Sequence, residues 1–198
     1  MKVAVDGQQV EWIEDTLNGI EQWWKSSTSR IYQDRRLIHF VEVNGKAIYE
    51  AYELYIVQNI QEVREVNIHT LSATESIQDT EQALDEYLER FVPGALDIAD
   101  QLYGGLTIDN QPLFGQLLEG FHWIVKSMQF DNELYVLAEY HASPDYLTSA
   151  LSTLERVLQE IMQAVENNDF TGVSDLLQYE VVPALQQFQN RNKMSGLS

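Results

Sequence analysis

Apolar residues recur every seven positions in the segment that follows Ser72. Two such series run along the segment, and they consist of Ile77, Leu84, Phe91 and Ile98 on one heptad position and Leu88, Ala95 and Leu102 on another. A seam of this kind requires neighbouring helices to pack against it. The helix begins at a capping box, Ser72-Ala73-Thr74-Glu75, in which hydroxyl and carboxylate satisfy each other's backbone amides. We expect Pro93 to kink or split this helix near Phe91.

Three more helices follow, and start and stop signals separate them. The first covers about residues 110–128, and Asp131-Asn132 is expected to interrupt it before residues 134–140. The second begins at Ser143-Pro144-Asp145 and breaks at 167–169. The last carries a second kink at Pro183. Four helices with short connections predict an up-and-down bundle over residues 72–190, and residues 191–198 are expected to form a flexible tail.

Residues 1–71 mix strand and helix patterns. Asp6-Gly7 and Asn44-Gly45 supply the positive φ angles of tight hairpin turns. Both turns lie in the pattern Val-(Asp/Asn)-Gly-x-x-aliphatic, 38 residues apart, and an acidic amphipathic helix follows each. Two ββα units that form one small sheet would explain this repeat. The alternative is that any two hairpins share Asx-Gly turns.

The first of these helices is predicted from Trp12 to Trp24, with its end at Ser26-Ser27-Thr28-Ser29. A second helix is predicted around residues 54–60, and a strand over 65–71. The fold class is therefore α+β. A small N-terminal hairpin-and-helix sheet unit of the ββα kind, residues 1–71, precedes the four-helix bundle.

Negative charge is concentrated in the helical part of the chain. Residues 65–190 contain 21 acidic side chains and only three basic ones, Arg90, Lys126 and Arg156, and the whole chain has a formal charge of −19. Such a field repels phosphate backbones and anionic lipid surfaces, so we expect neither nucleic acid nor a membrane as a partner. Another protein with a basic surface is the expected partner. The alternative is that the charge serves solubility alone.

Several chemistries find no support in the residues. The chain has no cysteine, which removes disulfides, thiolate nucleophiles and cysteine-ligated zinc. The N-terminus enters a strand pattern without a long apolar stretch, and no apolar run approaches about 18 residues, so the expected location is the cytoplasm. The phosphate-binding, dinucleotide-binding, nucleophile-elbow and zincin motifs are absent. We therefore expect no cofactor.

Two local features remain as candidate sites. Glu119 and His122 stand three residues apart on one predicted helix face, as in di-iron carboxylate bundles, but the second copy that such centres need is absent. Glu139-Tyr140-His141 has the wrong spacing for one face. The adjacent Trp23 and Trp24 cannot both face one core stripe, so one of them is a candidate for an interface. The alternative is that both rings are structural.

The last helix contains the segment Asp175-Leu-Leu-Gln-Tyr179-Glu180-Val-Val-Pro183-Ala-Leu185. It resembles a signature in an uncharacterised family of small cytoplasmic proteins from Gram-positive bacteria, some of them encoded among motility genes. The resemblance is best over residues 143–188. It implies a bacterial cytoplasmic protein and supplies no catalytic residues. Asp175, Tyr179 and Glu180 are candidate partner-binding residues, and a purely structural role is the alternative.

These observations favour a non-enzymatic interaction protein, of the adaptor or chaperone kind, whose acidic helical part offers a face or groove to another protein. The alternative is an enzyme with a carboxylate and histidine site, assisted by a metal at Glu119 and His122. A homodimer built on an unpaired heptad seam is a third possibility.

The charge balance also makes a prediction about stability. With 31 acidic and 12 basic side chains, repulsion within the folded chain is screened by salt. The melting temperature, followed by circular dichroism, should therefore rise as the ionic strength is raised. A flat or falling response would mean that local ion pairing outweighs the repulsion.

Overall fold

The computed structural model describes residues 1–137 and 142–191. The chain divides into two compact units, Met1–Ser76 and Ile77–Ser198. Each unit has its own hydrophobic core, one built from residues between Met1 and Ile68 and the other from residues between Leu84 and Phe188. The fold class is α+β, as predicted, with a small sheet followed by helices.

The first unit contains a five-stranded sheet in the order β2-β1-β5-β3-β4. Its strands are β1 (Lys2–Val5), β2 (Gln8–Trp12), β3 (Arg36–Val43), β4 (Lys46–Ile48) and β5 (Glu65–Ser72). Strand β5, the last of the five in the sequence, is the central strand of the sheet. It pairs in parallel with β1 and antiparallel with β3. The two outer strands, β2 and β4, are the returning arms of the hairpins.

Both hairpin turns have the geometry that their sequence requires. Asp6 and Gly7 have φ angles of 52° and 67°, and Asn44 and Gly45 have φ angles of 51° and 82°. Positive φ at both central residues is the mark of the primed turn that matches strand twist. Helix α1 (Leu17–Gln33) follows the first hairpin and helix α2 (Tyr52–Gln58) follows the second. The predicted pair of ββα units is therefore confirmed, and β5 joins them into one sheet.

Helix α1 differs from its predicted bounds. Trp12 ends strand β2, and the four residues from Ser26 to Ser29 lie inside the helix. Ser27 is buried in the core, and the hydroxyl of Thr28 donates to the backbone carbonyl of Trp24 at 2.9 Å. Hydroxyl groups that bond back to the preceding turn remain compatible with a helix. Burial of Ile31 one turn later keeps the helix going beyond them.

The second unit is built from four helical segments. They are α3 (Ala73–Leu102), α4 (Gln111–Leu137), α5 (Asp145–Glu166) and a last segment made of α6 (Phe170–Leu176), the π turn Leu177–Val181 and α7 (Val182–Gln189). The first turn of α3 belongs to the first unit. The boundary between the units therefore follows Ser76, whereas the sequence predicted it between residues 71 and 72. None of the helices in the described residues is long and apolar enough to cross a membrane.

Contacts at the helix ends show that consecutive helices run in opposite directions. Near the end of α4, the hydroxyl of Tyr135 lies 3.1 Å from that of Tyr146 near the start of α5. The ring of Tyr146 packs 5.9 Å from the ring of Phe188 near the end of α7. At the opposite end, the buried Ser174 hydroxyl of α6 donates to the carbonyl of Ala99 in α3 at 2.7 Å. The predicted up-and-down arrangement follows from these contacts.

The start of α3 has the predicted capping box. The carboxylate of Glu75 accepts from the backbone N–H of Ser72 at 2.8 Å, and the Ser72 hydroxyl accepts from the backbone N–H of Glu75 at 3.2 Å. The backbone N–H of Ser72 and its hydroxyl together hold the pKa of Glu75 below its usual value. Two backbone amides that the helix leaves free are satisfied in this way.

The two prolines that were predicted to kink helices, Pro93 and Pro183, have different consequences. Pro93 does not split α3, which stays helical from Ala73 to Leu102. Pro183 follows the π turn, in which the N–H of Val182 bonds to the carbonyl of Leu177, five residues earlier. Because proline lacks an N–H and crowds the carbonyl of the preceding turn, a wider turn before it relieves the conflict. The break predicted at Asp131-Asn132 is absent, since α4 continues to Leu137.

The end of the bundle differs from the prediction at one residue. Arg191 was placed in the predicted tail, yet its side chain is buried and bonded to Glu81 and Asp85 of α3. The rest of that tail, residues 192–198, lies outside the described residues, as do Glu139, Tyr140 and His141.

Packing between α3 and α4 makes one glycine sensitive to substitution. A Cβ atom at Gly120 would lie 2.1 Å from the hydroxyl of Tyr87 and 3.2 Å from its Cζ, whereas a Cβ at Gly115 would meet nothing within 4 Å. Gly120→Ala should lower the free energy of unfolding by roughly 1 kcal/mol, because overpacking outweighs the gain in helix propensity. Gly115→Ala, on the same helix, should raise it by about 0.5–1 kcal/mol.

Urea unfolding of both variants measures the two effects. Equal or greater stability of Gly120→Ala would show that α3 and α4 do not approach this closely.

Candidate functional site

An apolar groove lies between α1 and α2 in the first unit. Its volume is about 320 Å³, at the lower end of the range of ligand pockets. We call it the α1–α2 groove, and its lining residues are Leu17, Ile20, Glu21, Trp24, Glu53, Ile56 and Val57. The two glutamates are the only charged side chains in that lining. The groove therefore combines an apolar floor with a negative rim.

Local sequence explains how the two helices come to form a groove. Thr16 caps α1 by accepting from the backbone N–H of Gly19 at 3.1 Å, which directs Leu17 and Ile20 along one side of the first turns. Helix α2 is only seven residues long and begins after Ala51, whose φ of 48° is left-handed. The chain turns sharply there, so α2 lies beside α1 and presents the buried Ile56 towards the core.

The adjacent tryptophans divide between the core and the groove. Trp23 is 6% exposed and belongs to the core of the sheet unit. Trp24 is half-buried and lines the groove. Its indole N–H donates to the carboxylate of Glu53 at 2.5 Å, and its ring lies 5.5 Å from that of Tyr52. Trp24 thus bridges α1 to α2 and holds a large aromatic surface at the groove.

Burial also affects the neighbouring tyrosine. Desolvation is the main cause that raises the pKa of Tyr52, and the charge of Glu53 adds to it. Tyr52 therefore keeps its proton and contributes a neutral ring beside Trp24. The arrangement offers aromatic surface and carboxylate acceptors, which suit a partner with apolar and cationic groups.

The other candidate partner-binding residues lie in the helical unit and have structural partners there. Asp175 accepts from the hydroxyl of Tyr103 at 2.7 Å and so ties α6 to the end of α3. Glu180 pairs with Arg156 of α5. Tyr179 is 68% exposed on the π turn.

Glu119 and His122 are both exposed on α4. His122 lines a second, more polar cleft of about 340 Å³ with Lys126 and Gln129 of α4 and with Glu155 and Leu158 of α5. Gln129 donates to Glu155 at 2.6 Å across it. Within residues 1–137 and 142–191, no three His, Asp or Glu side chains are grouped as a metal ion would require. The geometry thus adds no further ligand to this pair.

One end of the bundle contains a cluster of polar side chains that the sequence did not predict. We call it the Asp131 cluster, and its members are Glu81, Asp85, Asp131, Tyr135, Tyr146 and Arg191. Arg191 donates to both oxygens of Asp85 at 2.8 Å, and Tyr146 donates to Glu81 at 2.8 Å. One signal was available in the sequence: Asp131 stands seven residues after the buried Ile124, where the heptad calls for an apolar residue.

Comparison with known protein families gives one result for the helical unit. Residues 79–191, more than half of the 198-residue chain, match the family model described as "Domain of unknown function (DUF8042)". The chain belongs to this family. The match begins inside α3 and ends at Arg191, so it covers the bundle and leaves out the α1–α2 groove. No curated protein and no solved structure matches the chain.

Proposed function

We propose that this DUF8042 protein is a non-enzymatic interaction protein that binds another protein through the α1–α2 groove. The observation that carries the proposal is the groove itself, an apolar concavity with Trp24 in its wall and carboxylates at its rim. Tryptophan in a concave, partly desolvated position is typical of binding hot spots. Leu17 and Val57, two apolar side chains of the groove lining, are about half exposed to solvent and would be buried by a bound partner.

The partner that fits this groove is an amphipathic helix that carries Lys or Arg beside large apolar side chains. Two helices with a groove between them offer the geometry in which an apolar helix face docks. Glu21 and Glu53 select cations at its edges, and the −19 charge of the chain attracts a basic segment over longer distances. The sequence favoured docking on the acidic helices and also offered Trp23 or Trp24 as an interface residue; of these sites, we propose the one at Trp24 in the sheet unit.

The biological setting that we propose is the bacterial cytoplasm. A motility-linked adaptor or an export chaperone fits a protein that holds a basic amphipathic segment of another chain. The support for this setting is the resemblance of the last helix to motility-associated proteins, together with the charge of the chain.

Two designed peptides test the proposal. One is an amphipathic helix with Leu along one face and Lys at its flanks, and the other replaces each Lys by Glu. Isothermal calorimetry at low salt should show binding of the Lys peptide to the full chain and none of the Glu peptide, because only the first complements the rim. Added salt should weaken the binding.

Matched variants locate the binding. Val57 lines the groove and is 50% exposed, and Val10 lies on strand β2 of the same unit and is 49% exposed. Val57→Glu should weaken the Lys peptide about tenfold or more, since a carboxylate at the apolar floor is costly to desolvate. Val10→Glu should bind as the parent does. Equal binding by both variants, or no binding by the parent, would refute the groove as the docking site.

The same variants distinguish an external partner from a second copy. If light scattering shows that the parent is a dimer and that Val57→Glu is a monomer, the groove is a self-association site, and the proposal of an external basic partner is wrong.

A further inference from the structure

Asp131 is a buried carboxylate without a hydrogen bond of ordinary geometry among the described residues. The residue is 0% exposed, and within residues 1–137 and 142–191 neither Oδ atom makes such a hydrogen bond, although the Thr80 hydroxyl is near enough to lower the pKa of Asp131. Buried polar atoms in folded proteins are almost always hydrogen-bonded, and a buried charge without a partner is costly. Protonation removes the cost of this buried charge, so the closed bundle favours the protonated form of the Asp131 side chain.

Arg191, whose positive charge lowers the pKa of Asp131, makes its hydrogen bonds to other groups. Arg191 donates to Glu81 at 3.3 Å, to both oxygens of Asp85 at 2.8 Å and to the carbonyl of Phe188 at 3.1 Å. Its guanidinium also lies 4.2 Å from the centroid of the Phe188 ring. Arg191 thus holds two other carboxylates and the end of α7, and its own side chain is buried while Glu81 and Asp85 remain partly exposed.

Groups from every helix around Asp131 affect its proton. Burial, the largest cause, and the charge of Glu81 raise the pKa of Asp131 to about 7, against the opposing effects of the Thr80 hydroxyl and the charge of Arg191. Asp85 is held by Arg191, and on α5 Tyr146 donates to Glu81. Burial also raises the pKa of Tyr146, so this phenol stays neutral.

A further titratable member of the Asp131 cluster lies on the same helix as Asp131. Tyr135, one turn later on α4, shares a hydrogen bond with the neutral Tyr146, with their oxygens 3.1 Å apart. With Glu81, Asp85 and Arg191 ionised, the Asp131 cluster carries one net negative charge when Asp131 is protonated and two when it is ionised. Asp131 is therefore the member whose ionisation near neutral pH changes the charge of a buried space.

We propose that one proton on Asp131 controls the opening of this end of the bundle. The protonated carboxyl is compatible with the closed packing of α3, α4, α5 and α7. Loss of the proton favours an open form in which Asp131 reaches water, Arg191 separates from its partners and Phe188 becomes accessible. The DUF8042 bundle then presents an apolar side chain only when this site is ionised. The inference is independent of the α1–α2 groove.

The direction of the pH dependence follows from the two forms. In the open form Asp131 titrates near its usual 3.8, and in the closed form it titrates at about 7. The stabilisation of the closed form is complete below pH 3.8 and is lost as the pH rises to about 7. Between these two pKa values the opening equilibrium constant increases by up to tenfold per pH unit, so it should rise roughly 50-fold from pH 5 to pH 7 and level off above pH 7.

Native-state hydrogen exchange of the full chain tests this inference. Amides in α7 and in the last turns of α4 should show opening constants, corrected for intrinsic exchange, that increase roughly 50-fold from pH 5 to pH 7. Asp131→Asn should abolish this increase, because an amide does not titrate. Glu133→Gln removes an exposed charge from the same helix and should retain the increase.

A second measurement covers the case in which the Asn variant folds poorly. Carbon-detected NMR of the unmodified chain reports the titration of the Asp131 carboxyl directly, and a midpoint near 7 supports the inference. A midpoint near 4, opening constants that do not change with pH, or an Asp131→Asn variant that follows the parent would each overturn it.

Discussion

Arg191 is the residue on which the end of the bundle depends. It extends from the end of α7 to Glu81 and Asp85 near the start of α3, so one guanidinium joins the first and last helices of the unit. Without it, the partly exposed carboxylates of Glu81 and Asp85 would lose the cation that they share, and the buried Asp131 would have more uncompensated negative charge near it. The cation-poor composition makes this sharing necessary, because 12 basic side chains serve 31 acidic ones.

Other arginines also contact more than one acidic side chain. Arg156 of α5 pairs with both Glu160 and Glu180. Arg36 of β3 donates to Thr70 and also lies near Asp6 and Glu75. Such multiple pairing holds the last helical segment to α5 and the first hairpin to β5 and the start of α3. Asp131 is a buried carboxylate that has no hydrogen bond of ordinary geometry among the described residues, and in our proposal its proton takes the role that a cation has at the other sites.

The two units contribute different properties to the protein. The bundle carries the DUF8042 match and a buried acid whose pKa is raised to about 7, whereas the sheet unit carries the apolar groove. The groove lies outside the matched residues, so the binding role that we propose belongs to the sheet unit of this chain and not to the family as a whole. The pH response, by contrast, concerns residues that all lie within the match.

Much of the architecture could be predicted because its signals are local. The Asx-Gly turns, the capping box and the four apolar periodicities each act within a few residues and led to the correct hairpins, helices and bundle. The errors occur where tertiary packing overrides local preference. The hydroxyl-rich run Ser26–Ser29 stays helical because Ser27 and Ile31 are buried, and Asp131 stays in α4 because its neighbours in the bundle hold the helix together.

By itself, the sequence determined the α+β class, the order of the elements and the excess of negative charge, since periodicity and turn chemistry act over short distances. Only the tertiary structure decided that Trp23 enters the core while Trp24 lines a groove with Glu53, 29 positions further along the chain. It also decided that Arg191 meets Asp85, 106 positions away, and leaves Asp131 without a hydrogen bond of ordinary geometry among the described residues. Contacts between distant residues depend on which helix faces meet, and no local pattern specifies that.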